Sequence, residues 1–257
     1  MFDPRILLAI SAAILLITFI IASWQDLKTR TVYAVTWYPA AIACGILSVC
    51  FWVMEFISEN PAAIYVLLTS LFVAGIMAMF TFFGLFGKAD AKAMILLALV
   101  VPVTPFADWI FPSLAISSII NAGIVVLIVP VVSFIRNLIS KNKAPFWLMC
   151  SGMPVEGSSI TKYFGFVSEL ITEEDGKINR EFCRPRSSIN ALRESSSLSL
   201  RELRENPDKY KEQLDLYAKS GKVWISHGIP LLIPITIGYV FALFGFSLVD
   251  LFMGLVL

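Results

Sequence analysis

Long apolar stretches alternate with short polar segments along most of the chain. A membrane-spanning helix needs about 20 predominantly apolar residues. Stretches of about this length lie at residues 6–24, 34–55, 62–83, 92–109, 112–135 and 223–249. The pattern therefore predicts six transmembrane helices. The fourth contains Pro102 and Pro105, and either a short span or a re-entrant segment fits it.

A polar region separates the fifth and sixth apolar stretches. Residues 136–222 contain fifteen basic and twelve acidic side chains, and we expect them to form a small cytoplasmic domain. Its "SGMPVEGSSITKYFGF" is typical of loop or short strand, because Gly, Ser and Pro punctuate it. Its "SLRELRENPDKYKEQLDLYAKSG" predicts one exposed helix, with a capping box formed by Ser199 and Glu202 and an end at Gly221.

Composition supports a membrane protein and narrows its class. The chain is 58% hydrophobic and 15% charged, whereas soluble domains carry roughly 25% charged residues. We therefore predict an all-α polytopic membrane protein embedded in a lipid bilayer. Its parts are residues 1–135 with helices 1–5, the cytoplasmic domain 136–222, and residues 223–257 with helix 6 and the C-terminus.

A net charge of +1 argues against nucleic acid as a partner. The four cysteines have no metal-ligand spacing, so neither a metal nor a cofactor is expected.

Basic residues between the apolar stretches predict the orientation. Of the 20 Lys and Arg residues, Arg5 is the one on the N-terminal side of the first helix, and the remaining nineteen fall in alternate polar segments. The positive-inside rule makes those segments cytoplasmic. The N- and C-termini are then both outside the cell membrane.

Two acidic residues stand out once this topology is applied. Asp26 follows the first helix and Asp90 precedes the fourth, each in a short cytoplasmic segment. Asp108 and Asp250 fall on the other side. Two carboxyl groups at one depth on one face can share a proton, because like charges a few Å apart cannot both ionise. The ionised member then activates water while the protonated member polarises a peptide carbonyl.

The residues around each aspartate sharpen the interpretation. Asp26 lies in "SWQDLKTRTV" and Asp90 lies in "GLFGKADAKAM". Gly87 and Ala89 present little side chain beside Asp90, so a peptide backbone can approach closely, and we expect both to shape a substrate cleft. The basic residues of these two segments are expected to anchor the topology.

These motifs resemble those of the type IV prepilin and preflagellin peptidases, a family of intramembrane aspartyl proteases named for a GxGD motif. The resemblance rests on "D-x-K-x-R-x-V" after the first helix, on "G-x-A-D-x-K" before the fourth, and on the order of the spans. The family's catalytic aspartates correspond to Asp26 and Asp90. Ala89 replaces the strict glycine of the motif, as the archaeal branch accepts a small apolar residue there.

The resemblance implies an aspartic-type endopeptidase that needs no cofactor. Its substrates would be preflagellin (archaeal flagellum) or prepilin-like subunits, whose short basic leader is removed at the cytoplasmic face. The sequence does not choose between the two substrate types.

Helix dipoles predict how the pair shares its proton. Asp90 is expected at the N-terminus of the fourth helix, where the dipole favours a carboxylate, and Asp26 at the C-terminus of the first, where it does not. On this ground Asp90 is expected to be the ionised base and Asp26 the protonated partner.

Two other classes of protein fit part of the pattern. A small secondary transporter or channel would use the two aspartates to bind a cation or a proton, but such sites usually lie near the bilayer midplane. A membrane scaffold would use the polar region for docking, and its aspartates would be incidental.

Overall fold

The computed structural model describes residues 3–84, 86–106, 113–174, 177–183, 199–228, 230–246 and 248. The chain divides into two compact units, the first made of residues 1–127 with 230–257 and the second of residues 128–229. The predictions for Asp108 and Asp250 lie outside the described residues.

The helices of the first unit follow the apolar stretches. They are α1 (Pro4–Thr29), α2 (Tyr38–Ile57), α3 (Ala62–Phe82), α4 (Lys88–Val100), the beginning of α5 (Leu114–Ile139), and α9 (Leu232–Leu243). A one-turn 3₁₀ helix precedes α2 and continues into it. Helices long and apolar enough to cross a membrane lie at Pro4–Thr29, Ala34–Ile57, Ala62–Phe82 and Leu114–Ile139. The chain is therefore a multi-pass membrane protein.

The expected count of six full spans is not confirmed. Helix α4 has 13 residues and α9 has 12. At 1.5 Å per residue each is roughly 20 Å long or shorter, less than the roughly 30 Å of a bilayer's hydrocarbon core. Helix α4 ends at Val100, two residues before Pro102, because proline disfavours the helical conformation of the residue preceding it.

The expected sixth helix over 223–249 is wrong in its first part. Residues Lys222–His227 form a strand, and the helix begins at Leu232. His227 thus ends a strand, whereas its place in the sequence suggests a helix start.

The second unit corrects the all-α prediction, because it contains β structure. Its elements are the end of α5, α6 (Phe146–Ser151), β1 (Gly152–Glu156), β2 (Gly165–Val167), β3 (Glu169–Glu174), β4 (Lys177–Phe182), α7 (Leu200–Glu205), α8 (Lys211–Ser220) and β5 (Lys222–His227). One antiparallel sheet has the order β1-β5-β2, and β3 and β4 pair as a separate hairpin. The short-strand prediction for "SGMPVEGSSITKYFGF" is confirmed by β1 and β2.

The expected single helix over residues 199–221 is two helices. The chain leaves α7 at Asn206, the residue before Pro207, and re-enters a helix at Lys211. Ser199 occupies the N-cap position, but its side chain makes no capping hydrogen bond. Gly221 ends α8 with a φ of 77°, as predicted.

Contacts between α1, α5 and α9 hold the first unit together. The buried Tyr239 hydroxyl on α9 donates a hydrogen bond to the carbonyl oxygen of Ala12 on α1, at 3.0 Å. Its ring meets Phe19 edge-on, with ring centroids 5.4 Å apart. Gly238 brings the backbones of α9 and α5 together, since a Cβ there would lie 2.4 Å from the carbonyl oxygen of Ser118. Small side chains at such crossings allow the close packing that membrane helices depend on.

Replacing Gly238 by alanine is expected to destabilise the protein by about 1–3 kcal/mol, because the added methyl group meets backbone that cannot move alone. Thermal unfolding of the purified protein in detergent measures the effect. Gly123→Ala in α5 is the matched control, since a Cβ there meets nothing within 4 Å. Equal melting temperatures for the two variants would contradict close packing at Gly238.

Candidate active site

Asp26 lies in the last turn of α1, where the helix ends in a defined cap. Arg30 adopts a left-handed conformation, with φ of 55°, and its backbone N–H donates to the carbonyl oxygen of Asp26 at 2.9 Å. A non-glycine residue in this region of φ is uncommon. The Lys28 ammonium lies 4.4 Å from the centroid of the Trp24 ring, a pairing suited to the membrane boundary.

Gln25, the neighbour of Asp26, ties the end of α1 to the segment that follows. Its Oε1 accepts hydrogen bonds from the Tyr33 backbone N–H, at 3.2 Å, and from the Thr36 hydroxyl, at 3.0 Å. Thr29 and Thr31 are joined by a further hydrogen bond of 3.0 Å between their hydroxyls. These contacts fix the turn beyond Asp26 and so limit the motion of the helix end that carries it.

Asp90 lies in the first turn of α4, at its third residue. Gly87 is the N-cap residue, and its carbonyl oxygen accepts the first helical hydrogen bond, from the Ala91 N–H at 2.9 Å. Further along the helix, Met94 and Leu97 are fully buried in the core of the first unit. This packing against a rigid core holds the first turn of α4 in place.

The structure brings Asp26 and Asp90 into one site. Helices α1 and α4 contact each other directly. Burial raises the pKa of Asp90 to about 6, and the nearby Asp26 carboxylate contributes to the rise. A charge shifts the pKa of another group in this way only from a short distance, so the two carboxyl groups lie near each other. Their arrangement allows one group to act as a base while the other holds a proton.

The expected assignment of the proton, with Asp90 as the ionised member, stays a prediction, and the pKa of Asp90 argues against it. The dipole of α4 favours an ionised Asp90, but burial and the nearby Asp26 outweigh it and raise the pKa of Asp90 to about 6. The Arg30 guanidinium lies near enough to the Asp26 carboxyl group to interact with it electrostatically. The sequence predicts a topology anchor at Arg30, and the left-handed backbone of this residue at the end of α1 is not visible in the pattern.

The other residues near the two aspartates are either exposed or packed into the core. Lys28, Lys88 and Lys92 are exposed, and their place at an aqueous boundary stays a prediction. Ala89, expected to shape a substrate cleft, packs its methyl group against the apolar core of the first unit. Gln25 was not singled out, because a glutamine beside an aspartate carries no distinguishing signal in the sequence.

Within the described ranges, no group of three or more His, Cys, Asp or Glu side chains is arranged to hold a metal ion.

The fold and the site define a multi-pass membrane protein with two acidic side chains at the adjoining ends of neighbouring helices. A model of the type IV leader peptidase family matches residues 13–131. A second model, described as archaeal peptidase A24 C-terminus type II, matches residues 144–245. A search of curated proteins found no match.

Together the two family matches take in most of the chain. The protein therefore belongs to the type IV leader peptidase family, in its archaeal branch, and is a peptidase. Both aspartates lie inside the first of the two matched ranges.

Proposed function

We propose that this peptidase is an aspartic-type endopeptidase with Asp26 and Asp90 as its catalytic residues. It hydrolyses the peptide bond that joins a short basic leader to preflagellin or to type IV prepilin-like subunits. The observation that carries the proposal is the pKa of Asp90, which is raised to about 6 in part by Asp26 on a neighbouring helix. Two carboxyl groups of unequal acidity in one site are what general acid–base hydrolysis requires.

The unequal acidity assigns a role to each carboxyl group. Asp26, beside Arg30, is ionised and takes a proton from a water molecule. Asp90 is protonated and donates a hydrogen bond to the carbonyl oxygen of the scissile bond. The hydroxide adds to the carbonyl carbon, the C–N bond breaks, and the leaving nitrogen takes up the proton that Asp26 removed from the water, which restores the ionised Asp26. The acyl product receives the hydroxyl group of the water and the amine product receives its proton, so the reaction balances without a cofactor.

The position of the site suits a substrate that changes from polar to apolar at the cleavage point. Asp26 is in the last turn of a membrane-spanning helix, and Asp90 is in the first turn of α4. The exposed lysines around the pair are typical of the aqueous boundary. A leader in water would therefore meet the site where the substrate's apolar helix enters the bilayer.

The positive-inside rule gives the orientation that we propose. The segments that contain the two aspartates carry Lys28, Arg30, Lys88 and Lys92, and the polar region 136–222 is also rich in basic residues. Both the site and the polar region are then cytoplasmic, and the two termini lie outside.

Substitution of either aspartate by asparagine is expected to lower leader cleavage by about 10²–10⁴-fold, because each role needs an ionisable group. Membranes containing the protein would be incubated with a preflagellin-type and a prepilin-type substrate. Cleavage is measured by electrophoretic mobility and by N-terminal sequencing of the product.

Asp3→Asn is the matched control for these two variants. Asp3 caps the opposite end of α1 through a hydrogen bond of 2.9 Å from the Arg5 backbone N–H, and asparagine also serves as a cap. This control is expected to cleave like the wild type. If either Asp26→Asn or Asp90→Asn retained full activity, that aspartate would have no place in the mechanism. A folded wild type that cleaves neither leader would favour the transporter or scaffold alternatives.

The pH dependence of cleavage should follow the proton on Asp90. Because its pKa is raised to about 6, Asp90 loses the proton as the pH rises through that value, and kcat/KM is expected to fall. At lower pH, protonation of Asp26 lowers the rate again, and the two limbs belong to the coupled pair. Initial rates over a range of pH test this. Prior incubation at each pH, followed by assay at one pH, separates titration from unfolding. A rate that is constant between about pH 6 and pH 8 would contradict a protonated Asp90.

A further inference from the structure

Gly87 occupies a position where the backbone does not require glycine. Its φ of −61° and ψ of 140° are ordinary for any L-residue at a helix N-cap. By contrast, Gly84 has a φ of 70°, in the region that glycine adopts most readily. The reason for a glycine at position 87 must therefore lie in the space around it.

That space is filled by the carboxyl group of Asp90. A Cβ on Gly87 would lie 2.4 Å from Oδ2 of Asp90 and 3.4 Å from its Cγ. Among the described residues other than the two chain neighbours of Gly87, no further atom lies within 4 Å of that position. Carbon and oxygen atoms that are not bonded cannot approach to 2.4 Å. The carboxyl group and a side chain at position 87 therefore exclude each other.

Other glycines with described surroundings have different neighbours. Gly45, Gly75 and Gly123 would each accept a Cβ without any contact within 4 Å. Gly157 and Gly165 face backbone carbonyl oxygens, which shift only if a strand or helix shifts. At Gly87 the obstructing atoms belong to the end of one flexible side chain, so a substitution there displaces the carboxyl group and leaves the fold in place.

We propose that Gly87 is a positioning residue, which leaves open the volume that the Asp90 carboxyl group occupies over the start of α4. This proposal rests on the proposed function, and it changes the role expected for Gly87 from the sequence. The missing side chain makes room for the enzyme's own carboxyl group, whereas the sequence suggested room for the substrate backbone. The distinction is measurable, because a displaced acid lowers kcat and a narrowed cleft raises KM.

Gly87→Ala would be compared with the wild type and with Gly75→Ala, whose added methyl group meets nothing within 4 Å. Purified proteins in detergent would cleave a leader-containing peptide under steady-state conditions. For Gly87→Ala we expect kcat to fall by about 10–100-fold, since a displacement of about 1 Å can cost a factor of 10². KM and the melting temperature should match those of Gly75→Ala.

A second measurement does not depend on activity. A water-soluble carbodiimide modifies exposed carboxyl groups, and mass spectrometry of the digested protein reports the rate at Asp90. A methyl group at position 87 displaces the half-buried carboxyl group toward solvent, so Asp90 is expected to react faster in Gly87→Ala. Gly75→Ala should react at the wild-type rate.

Three results would overturn the proposal. One is a Gly87→Ala variant with unchanged kcat and an unchanged rate of modification at Asp90. Another is a rise in KM at constant kcat, which would return Gly87 to the substrate cleft. A third is a loss of folding, because it would mean that atoms other than the carboxyl group obstruct position 87.

If the wild type itself fails to cleave, the proposed function fails, and the modification rate alone decides the role of Gly87.

Discussion

Two carboxyl groups held close together at a membrane boundary are the constraint on which the first unit depends. Each group loses hydration there, and like charges nearby disfavour each other's ionisation. Apolar packing offsets this cost, through buried Leu15 and Phe19 on α1 and Met94 and Leu97 on α4. The raised pKa of Asp90 is the part of this cost that the packing does not remove. The proposed mechanism would use the raised pKa, because a protonated Asp90 can donate a hydrogen bond.

The pKa of Asp90 results from two opposed effects on its carboxyl group. A helix N-terminus stabilises a nearby carboxylate by typically 0.3–1 kcal/mol. A shift of one pKa unit corresponds to about 1.4 kcal/mol, and the pKa of Asp90 rises from 3.8 to about 6. Burial and the neighbouring charge therefore exceed what the dipole can supply. The sequence reveals the helix start, but the depth of burial depends on packing that no local pattern records.

The same limit explains which parts of the fold could be predicted. The helices of the long apolar stretches were predictable, because their apolar length by itself indicates a span. Strand β5 could not be predicted, because both of its faces are covered. Val223 and Ile225 pack into one hydrophobic cluster, and Trp224 packs into another. An apolar run of this kind does not alternate and so cannot be told from the start of a helix. The aspartates were identified by their flanking motifs, whereas Arg30 and Gln25 act through a turn that only the folded chain displays.

Helix α4 illustrates why small residues collect around one acid. Ala91 and Ala93 are buried where α4 packs against its neighbours, and Ala89 contributes its methyl group to the same core. Gly87 has no part in that packing, and its missing side chain leaves volume for the Asp90 carboxyl group. The sequence predicts one purpose for Gly87 and Ala89, the close approach of a substrate backbone. In the folded chain they meet two separate demands, since the alanine allows α4 to pack closely and the glycine allows the acid at its first turn to lie where that packing buries it.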